Sequence, residues 1–467
     1  MDYDRSTLRP RMMHIGFGAF ARAHVMVFHD ELLRRQNSDW GVVAVRLHSG
    51  AEDLTNLDRT GGLYTVGEMS GGDVSLREVG AVVETIHPLR DGMEALLDRV
   101  ADPELSLITL TITEKGYCIA NGHLDVDHAD ISRDLRAPAS PGTAIGVIAE
   151  GLRRRRAAGH GPLTILSCDN LPSNGNLCRT AIAEYAERLD RSVAAWILSD
   201  CRFPSSMVDR ITPAMTDDAQ QTLTEALGRP DPNGILCEPF RQWVIEDRFA
   251  GERPDWDLAG AEFVADVAPY EEMKLRLLNG THSFLAYLGA LAGFQTIADC
   301  MKEPVLVQAA RNLMLSEQAP TLDLPEGVDA IKYADTLIER FSNTALHHKT
   351  TQIASDGSQK LPQRLLAPIR QHLKAGRDWP LSAFAVAGWL LYCRGTSEQG
   401  GTLPVNDPLS GTIAQIAQGA DGADFVREML SLEAIFGDDL PRTPAFSDAV
   451  QSAYDQLRSD GVLTALS

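Results

Sequence analysis

The chain has 467 residues, of which 44% are hydrophobic and 23% charged, and its formal net charge is −21. Such a composition belongs to a globular protein with room for more than one domain, and its acidity excludes wrapping a polyphosphate backbone, which needs clustered Lys and Arg to displace counterions. Seven scattered cysteines with no paired C-x-x-C spacing, and an N-terminus with no apolar signal core, predict a reduced cytoplasmic protein with no metal site, no nucleic-acid partner and no membrane span.

Short β-rich runs at 12–16, 42–47, 105–113 and 163–167 alternate with helical patterns, which predicts an α/β domain with a parallel sheet over residues 1–265. The first run leads into Gly16-Phe17-Gly18-Ala19-Phe20-Ala21-Arg22, and the helical pattern after it continues to about Arg35. In that setting Gly16 supplies a tight turn, Gly18 lets backbone approach a pyrophosphate, and Ala21 lets helix pack on strand, while the helix start offers N–H groups to phosphate. A dinucleotide site is therefore expected, with Gly16, Phe17, Gly18, Ala19, Phe20 and Arg22 around it. The second strand runs into Arg46-Leu47-His48-Ser49-Gly50-Ala51-Glu52-Asp53, so the acid that usually binds the ribose is displaced. Arg46 favours a 2′-phosphate and hence NADP, whereas Glu52 or Asp53 favours NAD; a solvated Arg46 is the plain alternative.

Beyond residue 265 long amphipathic patterns dominate, at 270–291, 304–317, 331–342 and 362–373, and predict a mostly helical domain over 266–467. Leu275, Leu278, Phe284 and Leu285 fit a core stripe. Lys274, Asn279 and His282 share the first of these patterns. At about 100° per residue, a regular helix sets Asn279 roughly 140° and His282 roughly 80° from Lys274, one broad face. A desolvated lysine can pass a proton to or from an alcohol oxygen, and amide N–H groups stabilise developing negative charge on that oxygen. The plain alternative is a solvated lysine and a structural histidine.

Five separated motifs then carry a resemblance. Lys274-x-x-x-x-Asn279-x-x-His282, the Gly16 to His24 loop, Thr113-Glu114-Lys115-Gly116-Tyr117-Cys118, Ser167-Cys168-Asp169-Asn170 and Met207-Val208-Asp209-Arg210 together resemble the polyol-specific long-chain dehydrogenase family, over residues 11 to 460 or so. The resemblance implies an N-terminal Rossmann-like domain, a largely α-helical C-terminal domain with the active site between them, NAD as cofactor, no metal, and a monomer. It implies Lys274 as general acid or base, Asn170 and Asn279 as oxyanion-binding amides, and His282 as a substrate-orienting group. Glu114 would lie near the nicotinamide or a proton path, Glu271 would serve as a proton outlet, and Asp209 would contact substrate.

Within that family the stretches 238–247, 283–289 and 356–364 resemble the branch acting on mannonate. Gln352 stands where the mannitol branch has a substrate-contacting Arg, and Arg364 stands where that branch is apolar. A carboxylate-bearing substrate needs a compensating cation, and Arg364, His348, Lys349 and Lys360 are the candidates. Positions 50 and 51 lack the ribose-binding acids of the mannitol branch, which keeps NADP open beside NAD. The expected activity is interconversion of D-mannonate and D-fructuronate. Its rivals are a neutral polyol dehydrogenase acting on mannitol or arabinitol, and a catalytically silent dinucleotide-binding protein.

Overall fold

Five runs become parallel strands: β1 (Arg9–Ile15), β2 (Trp40–Val45), β3 (Val82–Ile86), β4 (Leu107–Leu110) and β5 (Thr164–Ser167), in the sheet order β3-β2-β1-β4-β5. All of β2, β4 and β5 is buried, as expected for strands covered on both faces. The computed structural model describes residues 2–325 and 327–467, and the chain divides into two compact units, Met1–Ala268 and Pro269–Ser467.

In the first unit the strand order reverses between β1 and β4, so the loops after Ile15 and Leu110 open at a topological switch point, where α/β sheets bind ligands. The unit also holds elements that the periodic patterns do not announce. Tyr64–Ser70 pairs antiparallel with Asp73–Val79 and parallel with Ile235–Cys237, and a further three-stranded sheet joins Ser206–Asp209, Gln242–Glu246 and Glu262–Val264. The expected run at 105–113 is strand only over Leu107–Leu110.

The single helix expected from the glycine turn to Arg35 is two helices, Ala19–Ala23 and Val25–Arg35, broken at His24. Arg210 accounts for the break: its guanidinium donates to the Ala23 carbonyl, while the His24 ring binds the Gln242 carbonyl at 2.8 Å. Arg210 thereby also gives the Met207 to Arg210 motif a structural reason.

The second unit is helical, built around Thr281–Leu291 and Pro380–Tyr392, which pack on each other. Every residue of Thr281–Leu291 is buried, in keeping with a sequence apolar on all sides. Three segments wind as π-helix: Lys274–Gly280, Leu313–Gln318 and Pro362–Leu366. The first packs against both others. Such turns are rare and concentrate at functional sites.

Candidate active site

The Gly16 turn follows from backbone geometry. Gly16 adopts φ +93°, and a Cβ there would sit 2.1 Å from the Thr111 carbonyl oxygen, so no other residue fits without moving the strand end. The Gly16 and Phe17 N–H groups both donate to the Val45 carbonyl, at 2.9 and 3.1 Å. Gly18 is extended, and a Cβ on it would meet only the Gly16 carbonyl at 3.6 Å. Its expected role in close approach to a ligand therefore rests on open space, not on a strained backbone. Ala21 is fully buried, while Ala19 and Phe20 are half-buried. The Arg22 guanidinium donates to the carbonyls of Gly18 and Asn233, which binds the loop to its own unit.

Beneath the turn, buried His14 bridges β1 to β4, with Nδ1 2.7 Å from Thr109 Oγ1 and Nε2 2.9 Å from Thr111 Oγ1. Thr111 Oγ1 in turn donates to the Gly16 carbonyl at 2.7 Å. Because that hydroxyl proton is spent, His14 must present Nε2–H to Thr111 and accept at Nδ1, a neutral ring. Burial pushes its pKa down to about 3, which agrees.

The Thr113 motif and the Asp169 motif are joined by one carboxylate. Asp169, after β5, accepts from the Ile112 and Thr113 N–H groups at 3.0 and 2.8 Å and from the Tyr117 hydroxyl at 2.7 Å. Tyr117 also meets Ser167 Oγ at 2.5 Å. Thr113 has φ +62°, costly for a β-branched residue, and two N–H groups held on one buried carboxylate maintain it. This fixes the start of the loop bearing exposed Glu114, and the carboxylate is adjacent in sequence to exposed Asn170. The motif was visible in the sequence, but Asp169 as its organiser was not. Asp209 is buried at the end of Ser206–Asp209, opposite Gln242 in the other three-stranded sheet. Arg46 pairs with Asp53 and lies across Gly50.

In the second unit the regular-helix geometry does not hold. Lys274–Gly280 is π-wound, and because such a turn bonds residue i to i+5, the step from Lys274 to Asn279 is little more than one full turn, a smaller offset than the roughly 140° of a regular helix. Lys274, Asn279 and His282 are all buried, Lys274 at 8% exposure, so the lysine is not a solvated surface group. Leu275, expected in the core stripe, is only half-buried, while Leu278, Phe284 and Leu285 are buried as expected; the altered winding turns Leu275 off the core face. Glu271, half-buried, lies three residues before the lysine on the preceding turn.

Three of the four candidate cations gather around His282. The His348 ring lies edge-on to the His282 ring at 4.9 Å, and Phe341 covers it at 5.0 Å. Burial, and then the positive groups His348, Arg364, Arg340 and Lys360, holds His282 well below its ordinary pKa and hence neutral. Arg364 is half-buried; it donates to the Asn279 carbonyl at 3.3 Å and to Ser283 Oγ at 3.1 Å, and among the described residues no carboxylate pairs with it. Lys360 donates to the Ile353 carbonyl at 3.0 Å and to that of Ser355, and burial together with Arg364 pulls its pKa down to about 8. Half-buried His348 falls to about 4 through desolvation and Lys360, and its Nδ1 has no hydrogen-bond partner among the described residues. Lys349 is not brought to this cluster: it is exposed and begins the Thr350–Ala354 helix.

One further group was not singled out in the sequence. Gln318, fully buried in the Leu313–Gln318 turn, has neither amide atom paired among the described residues, and its Nε2 would lie 3.6 Å from a Cβ on Gly280. Nothing in local periodicity marks a lone glutamine in this way.

Two family models divide the chain, a mannitol dehydrogenase Rossmann domain over residues 10–258 and a mannitol dehydrogenase C-terminal domain over residues 266–458. The D-mannonate oxidoreductase of Escherichia coli is 48% identical over 463 residues, covering 98% of this chain and 95% of that protein. The uncharacterized oxidoreductase YdfI of the same organism is also 48% identical, over 462 residues, with the same coverage. Among solved structures, the Pseudomonas fluorescens mannitol 2-dehydrogenase in ternary complex with NAD and D-mannitol is 36% identical, with a TM-score of 0.86, covering 100% of this chain and 95% of that one. With both halves matched in order and relatives of this identity aligned end to end, the chain belongs to the mannitol dehydrogenase family of oxidoreductases.

Proposed function

We propose that this chain is an NAD-dependent dehydrogenase that interconverts D-mannonate and D-fructuronate. The observation that carries the choice of substrate is Arg364: a half-buried guanidinium with no carboxylate partner among the described residues, in a cluster with His282, His348 and Lys360. Burying a cation without an anion is costly, and a carboxylate on the ligand removes that cost by binding the planar fork. Two E. coli relatives of equal identity, one a D-mannonate oxidoreductase and one uncharacterized, support the family reading while leaving the substrate to the site itself.

The glycine turn fits a dinucleotide. Gly16 is pressed on Thr111, open space flanks Gly18, and both stand at the switch point of the sheet. Phe17, Ala19, Phe20, Arg22 and Arg46 would complete that site. A bound NAD would supply the hydride acceptor for the alcohol carbon, and NADH the donor for the reverse direction. The Lys274 amine takes the hydroxyl proton in the oxidative direction and gives it back to the carbonyl oxygen in reduction, and the Asn170 and Asn279 amides hold that oxygen as charge develops on it. Neutral His282 orients a substrate hydroxyl, and Asp209 accepts from another. Glu271 and Glu114 pass the lysine's proton toward water.

A panel of D-mannonate, D-fructuronate, D-mannitol and D-arabinitol, each with NAD(H) and NADP(H), tests the reading. The sugar-acid pair with NAD(H) is expected to give the highest kcat/KM. A higher value for mannitol would transfer the assignment to the neutral polyols.

A further inference from the structure

Arg46 occupies the place in a dinucleotide-binding sheet where a cation selects the 2′-phosphate of NADP, directly after the second strand. In this chain the cation is already engaged. The Arg46 guanidinium pairs with Asp53, and its other end lies 3.5 Å from Ser49 Oγ. The side chain reaches this position across Gly50: a Cβ on Gly50 would fall 2.1 Å from the guanidinium carbon, and Gly50 has φ +82°, so the path exists only for glycine. Asp53 and its neighbour Glu52 stand in the first turn of the Ala51–Arg59 helix, where the N-terminal partial charge favours carboxylates. Both are exposed, whereas Arg46 keeps only 23% of its side-chain surface.

We propose that the Arg46–Asp53 pair is this chain's discriminator between the two dinucleotides: Asp53 masks the cation that would otherwise attract a 2′-phosphate. The inference rests on the dinucleotide reading above. Arg46, Asp53 and Glu52 together carry one net negative charge. A ribose diol is neutral and meets this surface without penalty. A 2′-phosphate adds roughly two negative charges and finds its natural partner held by a carboxylate. The position is therefore an NADP site closed by a single side chain, and opening it requires no new cation.

Asp53→Asn keeps the shape of the side chain and removes the charge; Asp53→Ser does the same with a smaller group. Equilibrium binding of NADH and NADPH to the full-length chain, by calorimetry at low and at physiological salt, gives the ratio Kd(NADPH)/Kd(NADH) without any need for turnover. The ratio is expected to fall at least tenfold in both variants, and more at low salt. Adding Arg46→Ala to Asp53→Asn is expected to restore the high ratio. An unchanged ratio in both single variants, or a gain that survives loss of Arg46, would overturn the assignment while leaving the dinucleotide reading in place. Failure of the wild-type chain to bind either dinucleotide would remove both.

Discussion

Asp169 and Tyr117 meet through a 2.7 Å hydrogen bond, and the same carboxylate holds the backbone N–H groups of Ile112 and Thr113. Two loops at neighbouring strand ends are thus set by one acid. Asp169→Asn turns an amide N–H₂ toward a site that contains only donors, so the loop start should loosen. Hydrogen exchange over residues 112–117 is expected to rise, and kcat to fall about tenfold to a hundredfold, with a smaller change in NADH affinity. Leu152→Ala, a core substitution in the same unit, serves as a stability-matched control. Equal kcat losses in the two variants would reduce Asp169 to an ordinary structural residue.

Lys274→Ala should lower kcat by a factor of about 10² to 10⁴, the usual contribution of a positioned acid or base, while NADH affinity barely moves. Isotope-resolved single-turnover rates provide the measurement. Equal turnover by the variant would take the amine out of the chemistry.

Arg364→Ala separates substrate charge from substrate shape. KM for D-fructuronate is expected to rise far more than KM for a neutral ketose, by about a hundredfold at the energy of a charge-assisted bond. A parallel rise for both would mean that Arg364 mainly braces the Asn279 carbonyl and Ser283, the two contacts it already makes.

Two bases with lowered pKa values give pH signatures of the same sign in different windows. Lys360 has a folded pKa of about 8 against an ordinary 10.5, so the unfolded chain holds more protons between those values. Its stability penalty is full below about 8 and is relieved as pH rises toward 10.5. The wild-type chain should therefore gain stability over that window relative to Lys360→Met, and a chemical-denaturation series at pH 7.5 to 10.5, roughly spanning the interval, reads the slope. If Lys360 also contributes to the carboxylate site, KM for D-fructuronate climbs as pH passes about 8.

His14 acts in the same sense at lower pH. Its ring is held neutral down to about pH 3 against an ordinary 6.5, so the unfolded state takes up the proton first as pH falls. Stability linked to His14 is complete above about 6.5 and is lost on acidification toward 3. Urea midpoints of wild type and His14→Gln are expected to converge between pH 7 and 4. Parallel curves would show that the ring is protonated in the folded state.

The elements that carried periodic or motif information were readable: four of the five parallel strands, the glycine turn, the helical second half and the residues gathered at Lys274 and His282. The strand Val82–Ile86 escaped because Glu84 interrupts a short run, and the Tyr64–Val79 hairpin escaped because it serves a small mixed sheet without long alternation. The break at His24 depends on Arg210, almost two hundred residues away in sequence, and no local pattern contains it. The π-turns were hidden for a different reason. An amphipathic pattern averages over many residues, and one extra residue in a turn leaves it nearly intact. Lys349 fitted the chemistry of a substrate cation, but burial decides between neighbouring basic residues, and position in sequence does not.

The π-turn from Lys274 to Gly280 leads without a gap into Thr281–Leu291, a rod buried on every side. An inserted residue shifts phase, so the angular position of Lys274 is set independently of how the rod below it packs. Paring one residue from that turn would swing Lys274 by about 100° relative to Thr281–Leu291 while leaving every core contact of the rod unchanged in sequence. Evolution of a new substrate preference in this scaffold can therefore rotate the Lys274 side chain without changing the sequence of the buried rod that follows it.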